Sequence, residues 1–398
     1  MNTPSRPRAT KIICTIGPAT DTSDMLGQLI EAGANVFRLN MSHSKHDWVR
    51  EVVFRIRRKA AELEANVAIL FDLQGPSIRT GDLAEPYHLK KGDTVEIRLG
   101  TAKPELPFST TVNYDGLLQD VQAGHTMVVD NGGILMRIAE VRPDRLICDV
   151  LTEGVFGSRR HINLPGVALR LPALTEKDLA DLAVAVECET DYVAMSFVRD
   201  AAHIAQLREH IDNLGGKAQI VAKIEDQQAV RHIDDIILAA DVIMVARGDL
   251  GIEVSIEELP IIQRRIVRHC HRLGRRCIVA THMLESMITQ PTPTRAPDAG
   301  HSGKSRTAGT RALRGTCMER RLSGQPGSAC GVRTGFLYSA GVFYGSRRGA
   351  FPGRFTGEPY PVPGPDFGNA GGCGCSGTMV VEQKAGCGML HRRCNQDV

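Results

Sequence analysis

IVAKIEDQQ (220–228) and IMVARGDLG (243–251) are the two stretches whose reading decides this fold. Each is an apolar run that ends in charged residues. A buried parallel strand delivers side chains to the open end of a sheet or barrel in this way. The first places Lys223 and Glu225 on one face at strand spacing, and the second presents Arg247 and Asp249 around Gly248. A strand-end ion pair would by itself give the Lys223–Glu225 pattern; its repetition in the next strand points to a site. One ammonium, two carboxylates and a glycine that admits close backbone approach are the parts that hold Mg²⁺ and an anionic, phosphate-bearing ligand.

Outward from these strands the chain alternates. KIICTIGP, a helix from about Ser23 to Ala32, NVFRLNMS, a charged helix near 46–65 and VAILFDLQG form a βαβαβ pattern, hence a parallel sheet. Between about 82 and 170 turn signals such as KKGD (90–93), VNYDG (112–116) and DNGG (130–133) separate short strands, so an all-β insertion is expected. Alternation resumes with YVAMSFV, a helix near 200–213, QIVAKIE, a helix near 227–239, DVIMVARGD, a helix near 256–273 and CIVATHML. That makes seven parallel strands. From residue 297 on, glycine recurs irregularly and no apolar period persists, so no core is expected there.

The charge divides at the same place. Residues 1–296 carry 35 Lys+Arg against 39 Asp+Glu, and residues 297–398 carry 13 against 6. The basic balance therefore belongs to the tail, and the mildly acidic body argues against a nucleic-acid partner. No N-terminal apolar segment precedes Lys11 and no stretch is long and apolar enough to span a membrane. Cys14, Cys148, Cys188, Cys270 and Cys277 are scattered without paired spacing and read as reduced thiols, which points to the cytoplasm. Cys373, Cys375, Cys387 and Cys394 likewise lack the paired spacing of a zinc module.

KIICTIGPAT (11–20), NVFRLNMSHS (35–44), FDLQGPSIRTG (71–81), NLPGV (163–167), LPALTEKD (171–178), SFVR (196–199), the two opening stretches and ATHMLESM (280–287) together resemble pyruvate kinase, in order and at similar spacing. The resemblance runs from about residue 9 to 296 and stops after PTPTRA (291–296). It implies an α/β fold, a TIM-type (β/α)8 barrel here lacking its last strand, with an inserted small all-β domain. The expected divisions are barrel over 1–81 and 171–296, an inserted lid over 82–170, and a disordered, non-homologous tail over 297–398. A reading-frame shift near codon 297 would explain the Gly/Arg/Cys-rich tail, and a seven-stranded barrel is expected to be unstable or inactive.

The resemblance also implies a reaction: transfer of phosphate from phosphoenolpyruvate to ADP, in a family that is homotetrameric. Arg38 would grip the substrate phosphate, and Lys223 would neutralise charge on the phosphoryl group in flight and on the enolate. Glu225 and Asp249 would hold Mg²⁺; backbone amides around Arg247, Gly248 and Asp249 would bind the substrate carboxylate as a nest; Thr281 would lie near the enolate carbon. Asn40, Ser42, Asp72 and the carbonyl of Leu73 match a K⁺ site. His43, Arg79 and Arg160, with Asn40, match nucleotide-contacting positions. Gln74 and Ser77 depart from the family's usual lysine and charged residue, which leaves K⁺ dependence open; His161 replaces a glycine and His282 a glutamine. Two other readings stand beside this one. One is a non-catalytic remnant that encodes the ligands but cannot hold them. The other is a Mg²⁺-dependent lyase acting on a pyruvate enolate, which would use Glu225 and Asp249 but not Arg79 and Arg160.

Overall fold

A computed structural model describes residues 10–280, apart from 131 and 256, together with the backbone of 340–344. The first half of the barrel is β1 (Lys11–Ile16), α1 (Ser23–Glu31), β2 (Val36–Asn40), α2 (His46–Glu62) and β3 (Ala68–Asp72). Thr22 starts α1 by accepting from the Met25 amide, as an N-cap hydroxyl does. Helix α2 presents Val49, Val52, Val53, Ile56 and Ala60 to the barrel, a helical stripe that explains its burial despite its many charges.

The chain then leaves the barrel for a β domain. Its elements are β4 (Tyr87–Leu89), β5 (Thr94–Arg98), β6 (Phe108–Thr111), the one-turn α3 (Leu117–Asp120), β7 (Thr126–Val129), β8 (Ile134–Val141), β9 (Arg145–Val150), β10 (Gly154–Phe156) and β11 (Ile162–Asn163). They form a six-stranded sheet in the order β11-β7-β8-β9-β5-β6 and a β4–β10 pair. Alternation along β8 turns Ile134, Met136 and Ile138 into a separate apolar core with Val95, Ile97, Leu146 and Cys148.

The barrel resumes with α4 (Glu176–Glu187), β12 (Tyr192–Met195), α5 (Ala201–Asn213), β13 (Gln219–Ile224), α6 (Gln227–Arg231), α7 (Ile233–Ala239), β14 (Val242–Ala246), α8 (Arg247–Glu253), α9 (Leu259–Arg272) and β15 (Arg276–Ala280). The helices depart from expectation in three places. Helix α4, set by a Thr175–Asp178 capping box, was not foreseen. The single helix expected near 227–239 is two, divided at His232. The charged end of β14 turns straight into α8.

The seven strands pair in parallel, as expected, but the ring is not left open. A strand at Ala340–Tyr344, β16, lies antiparallel between β1 and β15, with Val342 opposite both Ile12 and Val279. The closed order is β1-β16-β15-β14-β13-β12-β3-β2. The seven parallel strands expected are thus joined by an antiparallel eighth from the tail, where no core is expected from the sequence. Two unpaired strand edges are a template for any extended backbone, and an antiparallel strand satisfies them as fully as a parallel one. The expected disorder of the tail otherwise concerns residues outside those described.

Alternation of period two fills the barrel in layers. Ile13, Val36, Ala68, Leu70, Tyr192, Ala194, Val221, Val242, Met244 and Ile278 make its apolar interior. Two residues further along the same faces come Thr15, Arg38, Asp72, Ser196 and Lys223, so the pleat itself raises a polar layer at the C-terminal mouth.

Candidate active site

The polar layer is a network centred on Asp72 and Lys223. Arg38 Nε donates to Asp72 Oδ2 at 2.6 Å, and Arg38 Nη1 donates to Thr15 Oγ1 at 2.9 Å. Lys223 Nζ reaches Ser196 Oγ at 2.7 Å, Glu225 Oε1 at 2.9 Å and Asp72 Oδ1 at 3.2 Å. The Phe197 amide donates to Glu225 Oε2 at 2.7 Å, and Ser196 Oγ donates to the Leu73 carbonyl at 2.7 Å. Every charged group is thus held by at least two partners, which is the preorganisation an electrostatic catalyst needs.

The loop after β3 is fitted tightly against this network. Gly75 has φ +70°, and a Cβ there would meet Phe197 Cδ2 and Ser196 Cβ at 2.9 Å. Phe197 itself has φ +54°, a conformation rarely adopted outside glycine and characteristic of strained functional segments.

Protonation follows from burial and neighbours. Burial alone would raise the Asp72 carboxyl, but Arg38 and Lys223 outweigh it and hold it below the usual carboxylate range. Burial would lower Lys223, yet Asp72 and Glu225 outweigh it and keep the ammonium charged. Lys223 is therefore a fixed cation rather than a base. Glu225 is raised by burial and by Asp249, and Asp249 by burial and by Asp72. Two neighbouring carboxylates whose proton affinity is raised in this way are a donor set that a divalent cation fits. Among the described residues no cluster of three acidic, His or Cys side chains forms a metal cage. The chain would accordingly supply two oxygen ligands to Mg²⁺ and leave the rest to substrate and water, as Mg²⁺ commonly does.

The network opens into a cleft of about 480 Å³ between barrel and β domain. Arg38, Asp72, Lys223, Glu225 and Asp249 line the barrel side, with Asn40, Ser42, His43 and Leu73 beside them. Asn40 Oδ1 accepts from the Ser42 amide at 3.2 Å, and the four residues matched to K⁺ all line the cleft. Ser77 Oγ stands 3.3 Å from Arg79 Nε. From the β-domain side come Arg79, whose Nη1 donates to the Arg159 carbonyl, and Arg160, whose Nη1 pairs with Asp130 at 3.2 Å.

One expected site residue lies elsewhere. The Arg247 side chain is fully buried and does not line the cleft; its Nε donates to the Ala280 carbonyl at 2.9 Å. The reason is local: Arg247 opens α8, and the first helical turn swings its side chain away from the mouth and towards β15. The Arg247–Gly248–Asp249 segment is accordingly the first turn of a helix rather than a loop nest. Thr281 and His282 lie outside the described residues. Sequence reasoning also missed Thr15 and Ser196, which fix Arg38 and Lys223. The signal was present, since both are polar residues following apolar strand positions on the inward face.

His161 is half-buried beside Arg79, with its ring 5.9 Å from that of Phe197. Burial and then the Arg79 charge push it down to about 4. A depressed histidine costs nothing above its unfolded value of about 6.5 and destabilises as pH falls through that value towards the folded one. We expect this residue to remove about 2 kcal/mol of stability between pH 7.5 and 5. His161→Asn should abolish that part of the pH dependence in urea unfolding; equal losses in parent and variant would show that His161 is not held neutral.

Glu225→Gln and Asp249→Asn should each raise the Mg²⁺ concentration needed for half-maximal effect by about tenfold, because a hard cation loses an anionic oxygen. A Mg²⁺ titration that is unchanged for either variant removes that residue from the site.

Comparison with known proteins agrees with this geometry. The family described as pyruvate kinase, barrel domain, matches residues 7–302. Plastidial pyruvate kinase 2 of Arabidopsis thaliana is 42% identical over 296 residues, which are 74% of this chain and 51% of that protein. A pyruvate kinase of Geobacillus stearothermophilus is 41% identical over 293 residues, 73% of this chain and 50% of that one. One from Clostridium perfringens is 40% identical over 289 residues, 72% and 61% respectively. The chain spans about half the length of most of these relatives. With seven parallel strands, an inserted β domain and this match over most of its length, the chain belongs to the pyruvate kinase family.

Proposed function

We propose that the chain moves the phosphoryl group of phosphoenolpyruvate to ADP, forming pyruvate and ATP. The observation that carries this reading is the meeting, in one cleft, of barrel-borne Arg38, Lys223, Glu225 and Asp249 with Arg79 and Arg160 from the β-domain side. The first set suits a phosphorylated enol acid and the second suits a polyphosphate. A lyase acting on a pyruvate enolate has no use for the second set, so the cleft favours the kinase. A non-catalytic remnant is the other reading, and the turnover assay below separates it from the kinase.

In this reading Arg38, braced by Asp72 and Thr15, orients the substrate phosphate. Lys223 holds a full positive charge where the phosphoryl group passes and where negative charge then builds on the enolate oxygen. Mg²⁺ held by Glu225 and Asp249 would supply charge neutralisation at substrate carboxylate and phosphate. Asn40, Ser42, Asp72 and Leu73 would hold K⁺. The β domain, taken as residues 82–170, serves as a lid that excludes water and brings Arg160 to the nucleotide. Among the described residues no helix is long and apolar enough to cross a membrane. The described cysteines are all free thiols, which suits a reducing compartment such as the cytoplasm.

Pyruvate release from phosphoenolpyruvate, followed by coupled reduction with lactate dehydrogenase, tests the reading. Release should require both ADP and Mg²⁺. Release that is indifferent to ADP would mean hydrolysis to inorganic phosphate and would count against the kinase.

A further inference from the structure

Behind the cleft lies a second crevice of about 310 Å³, which shares His161, Phe197 and Glu225 with it as a common wall. Its far side is the segment by which the β domain returns to the barrel, from Asn163 to Pro172. Two barrel residues fasten that segment. Arg199 is 8% exposed and spends its guanidinium on backbone: Nη1 donates to the Leu169 carbonyl at 2.9 Å, and Nη2 to those of Leu171 and Pro172. Glu253, the last residue of α8, accepts from Asn163 Nδ2 at 3.5 Å and from the Gly166 amide. Its own carbonyl accepts from Gln227 Nε2, which ties the end of α8 to the start of α6.

We propose that Arg199 and Glu253 are positioning residues that clamp residues 163–172 to the barrel and so set where Arg160 stands over the cleft. Both sit on segments that already carry site groups. Arg199 follows Phe197, whose amide holds Glu225, by two residues. Glu253 ends the seven-residue helix that Asp249 helps to begin. A shift at either acidic ligand is therefore transmitted along a short rigid path to the hinge of the lid. Glu253 faces Asp226 rather than a cation, and burial with that neighbour lifts it to about 7, in keeping with a carboxyl used for hydrogen bonding. The clamp stands on contacts alone; its kinetic consequence rests on the phosphotransferase reading.

Hydrogen–deuterium exchange on the full 398-residue chain tests the clamp without reference to turnover. Arg199→Ala and Glu253→Ala should each speed exchange across 164–171 by about fivefold or more, while β12 and β13 stay protected. Asn163→Ala cuts the same contact from the lid side and should do likewise, so a barrel variant that fails to fold leaves the question decidable. Glu253→Gln keeps an acceptor and should stay near the parent; Arg199→Lys should not, because one ammonium cannot span three carbonyls. In turnover, the KM for ADP should rise about tenfold with Glu253→Ala while that for phosphoenolpyruvate, held by barrel residues, moves less than about twofold. Unchanged hinge exchange in both alanine variants overturns the clamp, as does an equal rise in both KM values. Faster hinge exchange in a chain without turnover would uphold the clamp and count against the phosphotransferase reading instead.

Discussion

Lys223→Met is expected to lower kcat by at least about 10²–10³-fold while leaving phosphoenolpyruvate binding largely intact. The ammonium is held within 3.2 Å of Ser196, Glu225 and Asp72, so it cannot follow the substrate and acts as a fixed charge. A fixed charge at the transferring group stabilises what develops in the transition state more than what is bound beforehand. Removing it also leaves Asp72 and Glu225 without a shared cation, which costs about 3–5 kcal/mol in buried pairs, so unfolding must be followed in parallel. Turnover within tenfold of the parent, in a folded variant, would refute the assigned role.

The second large effect concerns the closure of the barrel. Val342→Pro should destabilise the chain by about 3 kcal/mol or more, because proline removes a ladder donor and clashes within a central strand. Val342 stands opposite Ile12 on one side and Val279 on the other, so the loss falls between two strands that otherwise have no neighbour there. The urea midpoint reads this directly. An unchanged midpoint would mean that Ala340–Tyr344 contributes nothing to the ring.

These two predictions differ in how far the sequence alone supports them. Lys223 and Glu225 were legible because strand periodicity is local: an apolar run with inward spacing of two ends in charge wherever a mouth is being built. Arg38 and Asp72 were assigned from the family resemblance instead. The β domain was legible through its turn signals and short runs. The β16 pairing was not. AGVFY is a short apolar run followed by glycine, and nothing within it shows that β1 and β15 would leave edges to be filled. Strand pairing is a long-range property, and although GVFYG (341–345) is among the most strand-like segments of the tail, its shortness and flanking glycines argue against it locally.

Arg247 is expected to contribute through its backbone amide, and the helix that opens at that residue was not foreseen. The side chain turns inward to a carbonyl that hydropathy cannot reveal. Ser196 was overlooked because a neutral hydroxyl carries no charge signal, although it is the nearest partner of Lys223.

The central claim is that one cleft of this chain performs phosphoryl transfer, and phosphorus NMR at stoichiometric protein concentration tests it most directly. With phosphoenolpyruvate, ADP and Mg²⁺, and the purified 398-residue protein in amounts matching substrate, even a slow chain completes a turnover. The account predicts loss of the phosphoenolpyruvate resonance with matching growth of the ATP γ-phosphate, dependent on Mg²⁺ and missing in Lys223→Met. A folded protein that binds both substrates, yet leaves the phosphoenolpyruvate resonance unchanged or converts it to inorganic phosphate, would contradict it.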